Sequence, residues 1–281
     1  MEAPTIRMQF IHRATPTLQN LLMFQTSSTG PISTKTRCPW VIAVIAILTT
    51  AGVGRADWPQ WRGPLGTGVA PDATPPIEWD NSKNILWRTQ ISGEGHSTPI
   101  VSRGLIFLTT SVPVGPPITP RTSGRPGAHD NRSVTSTHQF QAWAEAIPLE
   151  GGHKTASLAS ASPVTDGRHF FAFFGSHGLY CLSRDGDLIW KKQFGTMHTK
   201  HGHGEGASPA LHGQTIIVNW DHEEDSFLVA LDTTSGEERW RVVRNEVTSW
   251  STPLITKVDG EQQVIVCGTD KVRGYKLLTG E

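Results

Sequence analysis

The chain repeats one short sequence pattern, and this repeat limits its possible folds more than any other feature. Each copy opens with a Ser-Pro or Thr-Pro dipeptide and continues as short apolar runs separated by turn residues; the prolines are Pro99, Pro163, Pro209 and Pro253. Pro163 and Pro209 are 46 residues apart, and Pro209 and Pro253 are 44 residues apart. Short strands repeated with a period in the forties are typical of propeller blades. The sequence therefore predicts an all-β fold, a β-propeller built from four-stranded antiparallel blades.

The clearest copy runs from residue 206 to residue 240. β-Branched and apolar residues fill 215–220 and 227–231, which predicts two strands, and a Thr-Ser-Gly turn at 234–236 leads into a third strand. The copy also contains an Ala-x-Asp sequence, then a glycine and, four residues later, a tryptophan. These residues are Ala230, Asp232, Gly236 and Trp240, and Gly186 and Trp190 repeat the spacing between glycine and tryptophan. We expect each tryptophan to pack flat on the neighbouring blade and each glycine to permit the tight turn before it.

This pattern resembles the tryptophan-docking motif of pyrroloquinoline-quinone (PQQ) type β-propellers. The segments DWPQWRGPLGTG, GHSTPI, SASPV, NWDHEEDSF and SWSTPL further resemble a family of exported PQQ-like propeller proteins of planctomycete type, over roughly residues 57 to 281. The resemblance implies a relationship in fold to the propeller lipoprotein of the outer-membrane β-barrel assembly machinery. Because fold does not determine function, it leaves the activity open.

The composition changes along the chain predict four regions. Residues 1–34 are polar, aperiodic and rich in Pro, Ser and Thr, which predicts a disordered extension, or one that is mis-annotated because translation starts nearer Met23. Residues 35–56 are expected to be a signal peptide, 57–83 an irregular leader rich in Gly, Pro and Trp, and 84–281 part of a propeller.

The signal peptide is inferred from a basic start, an apolar run at 40–51 and the small-residue site Gly54-Arg55-Ala56. The apolar run is shorter than the roughly 20 residues that span a bilayer, although an uncleaved membrane anchor is an alternative. We therefore expect an exported protein, in the periplasm or another extracytoplasmic compartment, that contacts the membrane only through this segment.

The propeller predicted for 84–281 is incomplete. The chain holds about three and a half blade units, with an insertion near 111–156 whose Pro/Gly-rich start predicts a mobile surface loop. Within the insertion, 139–147 is predicted to return to a blade strand. The strand 84–91, with Trp87 at its centre, is expected to complete the last blade and close the ring. Propellers need about four to eight blades, so we expect this chain to be a C-terminally truncated part of a larger propeller.

The charge balance and the cysteines exclude some classes of function. The 25 basic and 25 acidic residues give no net charge, so we expect no nucleic-acid partner. The three cysteines lack the spacing of zinc or haem sites. Cys181 and Cys267 lie in apolar strands and are expected to be buried free thiols, although export would also permit a disulfide between them.

Candidate binding residues lie in the loops that precede the first strand of each blade. In a propeller these loops converge at one mouth of the central channel. The candidates at this mouth are His96, His153, Lys154 and Trp250 near these loops and Asp221 and His222 in the polar connection after the strand 215–220, and they would contact a protein or small-molecule ligand. The acidic run 221–225 could bind calcium or form a solvated turn, and its spacing favours the turn.

The segment 197–206 holds the densest group of histidines. If this segment is extended, alternation puts His201, His203 and Glu205 on one face, which is a possible set of metal ligands. The alternative is a Gly-rich loop whose imidazoles are solvated or stack on the channel wall.

Two functions are compatible with these observations. The first is an exported, non-catalytic scaffold that binds protein or ligand, which agrees with the regular repeat and the neutral charge. The second is a quinoprotein dehydrogenase that oxidises an alcohol or sugar with pyrroloquinoline quinone and calcium. There, Trp250 would stack on the quinone and Asp221 would be the catalytic carboxylate, but no two cysteines are adjacent to form a disulfide platform. We favour the scaffold, without enzymatic activity.

Overall fold

The computed structural model describes residues 4–12, 57–71, 73–85, 88–91, 93–113, 140–146 and 157–281. The strands in these residues are β1 (Pro4–His12), β2 (Ile100–Ser102), β3 (Leu105–Pro113), β4 (Phe140–Ala146), β5 (Val164–Thr165), β6 (His169–Phe173), β7 (Leu179–Ser183), β8 (Leu188–Lys192), β9 (Ala210–His212), β10 (Thr215–Trp220), β11 (Phe227–Asp232), β12 (Glu238–Val243), β13 (Leu254–Val258), β14 (Glu261–Cys267) and β15 (Val272–Lys276). Short 3-10 turns occur at Gly175–His177 and Lys200–Gly202. Among these residues we find no helix with the length and apolar character needed to cross a membrane.

The strands form four antiparallel sheets, which confirms the predicted all-β class. Two sheets are simple meanders of four consecutive strands, in the orders β5-β6-β7-β8 and β9-β10-β11-β12. A third sheet has the order β13-β14-β15. Each of these sheets begins just after a Ser-Pro or Thr-Pro dipeptide. Each copy of the sequence repeat therefore forms one sheet.

The first sheet differs from the prediction. Its order is β2-β3-β1-β4, so the N-terminal strand β1 lies between β3 and β4, with Phe10 opposite both Phe107 and Gln141. We expected residues 1–34 to lack regular structure because their overall composition is polar. The apolar residues at every second position, Ile6, Met8 and Phe10, are a local strand signal that the overall composition conceals. The predicted return to a strand at 139–147 is confirmed by β4.

The first strands of successive sheets lie side by side. Strand β2 contacts β5, β5 contacts β9, and β9 contacts β13. We call these four the inner strands. Sheets that meet along their first strands are arranged as the blades of a propeller, around a common axis.

The Ser-Pro and Thr-Pro dipeptides join these inner strands through a ladder of hydrogen bonds. The Thr98 N–H donates to Ser162 Oγ (2.9 Å) and the Ser162 N–H donates to Ser208 Oγ (2.9 Å). The Ser208 N–H in turn donates to Thr252 Oγ1 (3.1 Å). A residue before proline is extended, which leaves its N–H directed sideways. The hydroxyl side chain therefore supplies the partner that this N–H needs, across the boundary between two sheets.

Apolar cores fill the spaces between neighbouring sheets, and the central strands β6, β7, β10 and β11 each contribute to two of them. In β6, Phe170 and Ala172 pack against the sheet that contains β2 and β3, whereas Phe171 and Phe173 pack against the sheet β9-β10-β11-β12. Successive residues of a strand point to opposite faces, so a sheet covered on both faces needs an unbroken apolar run. This explains why β6, β7, β10 and β11 contain few polar residues.

The docking tryptophans contact the next sheet along the chain. Trp190 Nε1 donates to the Thr233 carbonyl (3.1 Å), and Trp240 Nε1 donates to the Leu277 carbonyl (2.9 Å). Both rings are half-buried. Each ring covers a glycine: a Cβ at Gly236 would lie 2.9 Å from Trp190, and one at Gly280 would lie 2.7 Å from Trp240. The glycine therefore clears space for the tryptophan of the preceding blade, besides permitting its own turn.

The other residues of the docking motif shape the turn and the strand beside it. Ala230 is fully buried and lies opposite Trp240 in the sheet register. Asp232 Oδ1 accepts hydrogen bonds from the N–H groups of Thr234 and Ser235. Gly186, with φ 91°, takes the corresponding left-handed position in the second sheet. Trp87 lies outside the described residues.

The leader, which we define in the structure as residues 57–68, lies across several inner strands. Trp58 and Val101 exchange backbone hydrogen bonds of 2.7 and 2.9 Å, and the Thr165 N–H donates to the Pro59 carbonyl (2.9 Å). Further along, a Cβ at Gly66 would lie 3.0 Å from the Leu254 side chain. The leader therefore connects β2, β5 and β13, which are far apart in sequence.

Candidate functional site

The segments that precede the inner strands meet at one end of the sheets, which we call the mouth. The N–H groups of His96 and Ser97 donate to the Ala159 carbonyl, at 3.1 and 3.2 Å. A Cβ at Gly206 would lie 3.5 Å from Trp250 and 3.9 Å from Ser160. Segments from four sheets thus touch one another, as a propeller requires. Two of the predicted mouth residues, His153 and Lys154, lie outside the described residues.

Trp250 is the most prominent exposed ring at the mouth. It is 46% exposed, and its Nε1 donates to the Gly204 carbonyl (2.8 Å). The imidazole of His203 lies edge-on to it, with ring centroids 6.2 Å apart, and His201 lies edge-on to His203 at 5.8 Å. We call these three rings the aromatic platform. Because the indole N–H is already bonded, the ring can offer a ligand only its face and edges.

The predicted metal-binding set is wrong in its geometry. It required an extended segment, but Lys200–Gly202 is a 3-10 turn with His201 in the left-handed region (φ 55°). The Glu205 carboxylate accepts hydrogen bonds from the N–H (2.6 Å) and the hydroxyl (2.5 Å) of Ser176. Within the described ranges, no group of three or more His, Cys, Asp or Glu residues is placed to hold a metal ion. Alternation along a strand therefore does not bring His201, His203 and Glu205 together.

Glu205 instead joins the histidine segment to the second sheet. Ser176, which binds the carboxylate, also accepts the Met197 N–H at its hydroxyl (2.7 Å). Gly175 has φ 51°, and a Cβ there would overlap the Glu205 carboxylate. Ser176 and Glu205 are 29 positions apart, so no local sequence pattern indicates that the 175–178 turn is a docking point for Glu205.

Asp221 is completely buried and paired inside the protein. Arg244 donates to its two oxygens from Nε (2.7 Å) and Nη2 (3.0 Å), and neither side chain is exposed. The Ser249 hydroxyl donates to the same carboxylate (2.7 Å), and Arg244 Nη1 donates to Tyr275 Oη (2.6 Å). Burial alone would lower the pKa of Arg244, but the hydrogen bonds and charge of Asp221 outweigh it and raise that pKa. The carboxylate nominated for catalysis thus links two sheets.

His222 is also buried, and both of its ring nitrogens have partners. Its Nδ1 accepts the His198 N–H (3.2 Å) and its Nε2 lies 3.3 Å from the Asp225 carbonyl. This pattern fits a neutral ring protonated at Nε2, since a carbonyl can only accept. The ring also packs edge-on to Trp220. His222, predicted as a mouth residue, therefore holds the 221–226 connection together.

The rest of the acidic run faces outwards, as predicted for a turn. Glu224 is exposed and lies 2.7 Å from His198 Nδ1. Glu223 accepts hydrogen bonds from the Thr248 hydroxyl (2.5 Å) and N–H (3.3 Å). The bond from the Thr248 hydroxyl is the main cause that lowers the pKa of the Glu223 carboxyl, with smaller contributions from the charges of Lys200 and His201. Glu223 therefore stays ionised near the aromatic platform at neutral pH.

Comparison with known families identifies the repeat. The family described as outer membrane protein assembly factor BamB matches residues 133–281, which is more than half of the chain. The chain belongs to this BamB family. No curated protein matches the chain.

Solved structures with a similar arrangement include both BamB and quinoprotein enzymes. BamB from Moraxella catarrhalis is 16% identical, with 68% of this chain and 46% of that chain covered and a TM-score of 0.36. A europium-containing methanol dehydrogenase is 18% identical, with 42% and 23% covered and a TM-score of 0.30. The quinohemoprotein alcohol dehydrogenase ADHIIG from Pseudomonas putida HK5 is 20% identical, with 43% and 19% covered and a TM-score of 0.30. The chain spans less than half the length of each of these proteins.

The two cysteines within the described residues of this BamB-family chain are free thiols. Cys181 is buried as predicted, and burial, helped by the negative charge of Asp166, raises the pKa of its thiol to about 12. Cys267 is exposed, which corrects the prediction that it is buried. It follows Val266, which is buried, and alternation turns the next side chain outwards.

Proposed function

We propose that this BamB-family chain is an exported, non-catalytic scaffold that binds a protein or small-molecule ligand at its mouth. The observation that carries the proposal is that Asp221 is buried and paired with Arg244. A general base must reach a substrate proton, but this carboxylate is buried and bonded to Arg244 and Ser249. The described mouth also presents the aromatic platform to solvent, and an exposed indole face can stack against a ligand.

The alternative, a quinoprotein dehydrogenase, shares the repeat but not the site chemistry. Calcium bound with pyrroloquinoline quinone needs carboxylate oxygens that are available as ligands. The guanidinium of Arg244 occupies both oxygens of Asp221, and a second cation beside Arg244 would be repelled. Asp221 therefore does not fit a calcium site for this cofactor, which favours the scaffold.

A reconstitution experiment tests the choice between the two functions. The full chain is incubated with pyrroloquinoline quinone and calcium, desalted, and examined for quinone absorbance and for reduction of a dye with alcohols and sugars. We expect no retained quinone and no dye reduction, in the natural chain and in an Asp221→Asn control alike. Stoichiometric quinone that remains with the natural chain and is lost from the control would overturn the proposal.

Export is the second part of the proposed function, and it rests on residues 35–56. Intact-mass measurement of the protein from its native host should give a chain that begins near Asp57. A mass that includes residues 40–51 would support an uncleaved membrane anchor, and recovery with the cytoplasm would contradict export.

A further inference from the structure

The connection between β10 and β11, residues 221–226, folds tightly around His222. The Ser226 hydroxyl accepts the His222 N–H (3.0 Å) and donates to the His222 carbonyl (3.0 Å), which fixes the backbone on both sides of the ring. The Arg244 N–H donates to the Ser226 carbonyl (2.8 Å) and ties the connection to the end of β12. Only 3% of His222 is exposed, and its imidazole packs edge-on to Trp220. The ring is therefore held in one place.

One nitrogen of this ring fastens the histidine segment, residues 197–206, to the connection. His222 Nδ1 accepts the His198 N–H (3.2 Å), and the Glu223 N–H donates to the His198 carbonyl (2.9 Å). We call these two bonds the clasp. The proton of the neutral ring is on Nε2, which lies 3.3 Å from the Asp225 carbonyl. The clasp needs this neutral ring, because only an unprotonated nitrogen can accept an N–H.

A second proton on His222 opens the clasp. It binds at Nδ1 and turns that nitrogen into a donor that faces the His198 N–H, so the hydrogen bond is replaced by repulsion between two donors. While the clasp is closed, the new charge is also buried away from water. Movement of His198 away from the ring removes the repulsion and lets water reach Nδ1. His222 therefore binds a proton more tightly in the open arrangement, so a falling pH favours opening.

The charged groups around His222 favour the uptake of this proton. They belong to the connection, to the histidine segment and to the end of β12: Asp221, Glu223, Glu224, Asp225, His198, Lys200, Arg241 and Arg244. Arg244 is paired with Asp221, which leaves three further acidic residues in the connection. The hydrogen bond from the Thr248 hydroxyl lowers the pKa of the Glu223 carboxyl, so Glu223 stays ionised in mildly acidic solution. The acidic surroundings attract a proton to His222 whether the clasp is closed or open.

The contact between His198 and Glu224 has an opposite but weaker effect. The Glu224 carboxylate lies 2.7 Å from His198 Nδ1, and a proton on His198 turns this contact into an ion pair that holds the segment at the connection. Both side chains are largely exposed, at 61% and 59%, and exposed ion pairs contribute little to stability. Loss of the buried bond to His222 therefore sets the direction of the change.

We propose that the clasp is a pH-sensitive switch: in mildly acidic solution His222 takes up a proton at Nδ1, and the first part of the histidine segment detaches from the connection. The other end of the segment stays in place, because Glu205 is still bonded to Ser176. The movement is therefore a local opening at the mouth. The inference goes beyond the proposed function, since it holds whatever ligand the mouth binds.

Amide hydrogen exchange of the full chain, measured by NMR between about pH 8 and about pH 5, tests this proposal, because imidazoles gain a proton in this range. After correction for the intrinsic pH dependence of exchange, the protection of the His198 and Glu223 amides should fall about fivefold to tenfold, as expected for one lost hydrogen bond. The fall should follow the protonation of His222, measured from the chemical shifts of its ring nitrogens. The Ile217 amide within β10 should stay equally protected.

The variant His222→Asn is the matched control, because its side-chain oxygen can replace Nδ1 as the acceptor and does not titrate. It keeps His198, His201 and His203, so any pH dependence that these residues cause remains in it. We expect the protection of the His198 amide in this variant to be independent of pH.

Three results overturn the proposal. The first is a fall of the same size in His222→Asn, and the second is a His198 amide that stays protected while His222 takes up its proton. The third is a His222 ring that remains neutral down to about pH 5. The last two are measured on the natural chain, so they decide the question even if the variant does not fold.

Discussion

At the scale of single residues, glycine and tryptophan depend on each other across the blade boundaries. Gly236 adopts φ 71° and lies beneath Trp190, whereas Gly213 adopts φ 57° and a Cβ there would meet no heavy atom within 4 Å. Both glycines use the left-handed region, but only Gly236 also leaves room for a ring. Comparing substitutions at the two positions therefore separates the free-energy cost of the left-handed turn from that of the contact with the ring.

Replacing Gly236 by Ala should destabilise the protein more than replacing Gly213. We expect Gly213→Ala to lower the free energy of unfolding by about 1 kcal/mol, from backbone strain alone. Gly236→Ala adds a clash with Trp190, for a total of about 2–4 kcal/mol. Urea unfolding measures both, and a Trp190→Ala background should remove most of the difference. Equal losses in the two variants would contradict the docking role of Gly236.

The two described thiols should react at very different rates. Thiolate is the nucleophile in alkylation, and a pKa of about 12 keeps Cys181 almost entirely protonated at mildly alkaline pH. At a mildly alkaline pH, iodoacetamide should label exposed Cys267 in the native protein and leave Cys181 unlabelled. Peptide mapping by mass spectrometry gives the rates, with denatured protein as the control in which both react. Comparable native rates would show that the second sheet opens readily.

At the scale of elements, the inner strands are joined by side chains as well as by packing. The hydrogen-bond ladder connects residues 64, 46 and 44 positions apart. The dipeptides Ser-Pro and Thr-Pro were predicted only as strand starts, because the sequence shows what each copy contains but not which groups face each other in the next copy. Once the period is known, however, it shows which residues are equivalent in successive copies: Thr98, Ser162, Ser208 and Thr252.

Ser208 tests whether the ladder stabilises the fold. Ser208→Ala leaves the buried Ser162 N–H without its acceptor, which should cost about 1–3 kcal/mol. Ser208→Thr is the matched control, since it keeps a hydroxyl as at residues 98 and 252, and its loss should be smaller. Melting temperatures of the two variants give the comparison. If the alanine variant melts no lower than the threonine variant, packing alone holds the inner strands.

At the scale of the whole molecule, the fold could be predicted and most of the site could not. The period and the glycine–tryptophan spacing fix the propeller class, because each blade repeats the same local pattern. Asp221 and His222 look like surface residues in an acidic run, yet both are buried. Their partners, Arg244 and His198, lie 23 and 24 positions away in sequence, so no local pattern indicates the pairing.

The leader offers the last test, because it acts on the assembly of sheets and not on one blade. A chain of residues 57–281 keeps the leader, and a chain of residues 70–281 lacks it. Without it, the Val101 N–H and carbonyl and the Thr165 N–H lose their partners. At about 1 kcal/mol for each bond, we expect the shorter chain to be less stable by roughly 3 kcal/mol.

Hydrogen exchange shows whether that loss comes from the inner strands. The amides of Val101 and Thr165 should exchange faster in the shorter chain, whereas the Ile217 amide within β10 should change little. Trp58→Ala in the longer chain is the control, since it removes the ring beside Gly63 but keeps the backbone bonds. It should therefore leave the exchange at Val101 and Thr165 slow. Unchanged exchange at both amides in the shorter chain would mean that the leader covers the inner strands without holding them together.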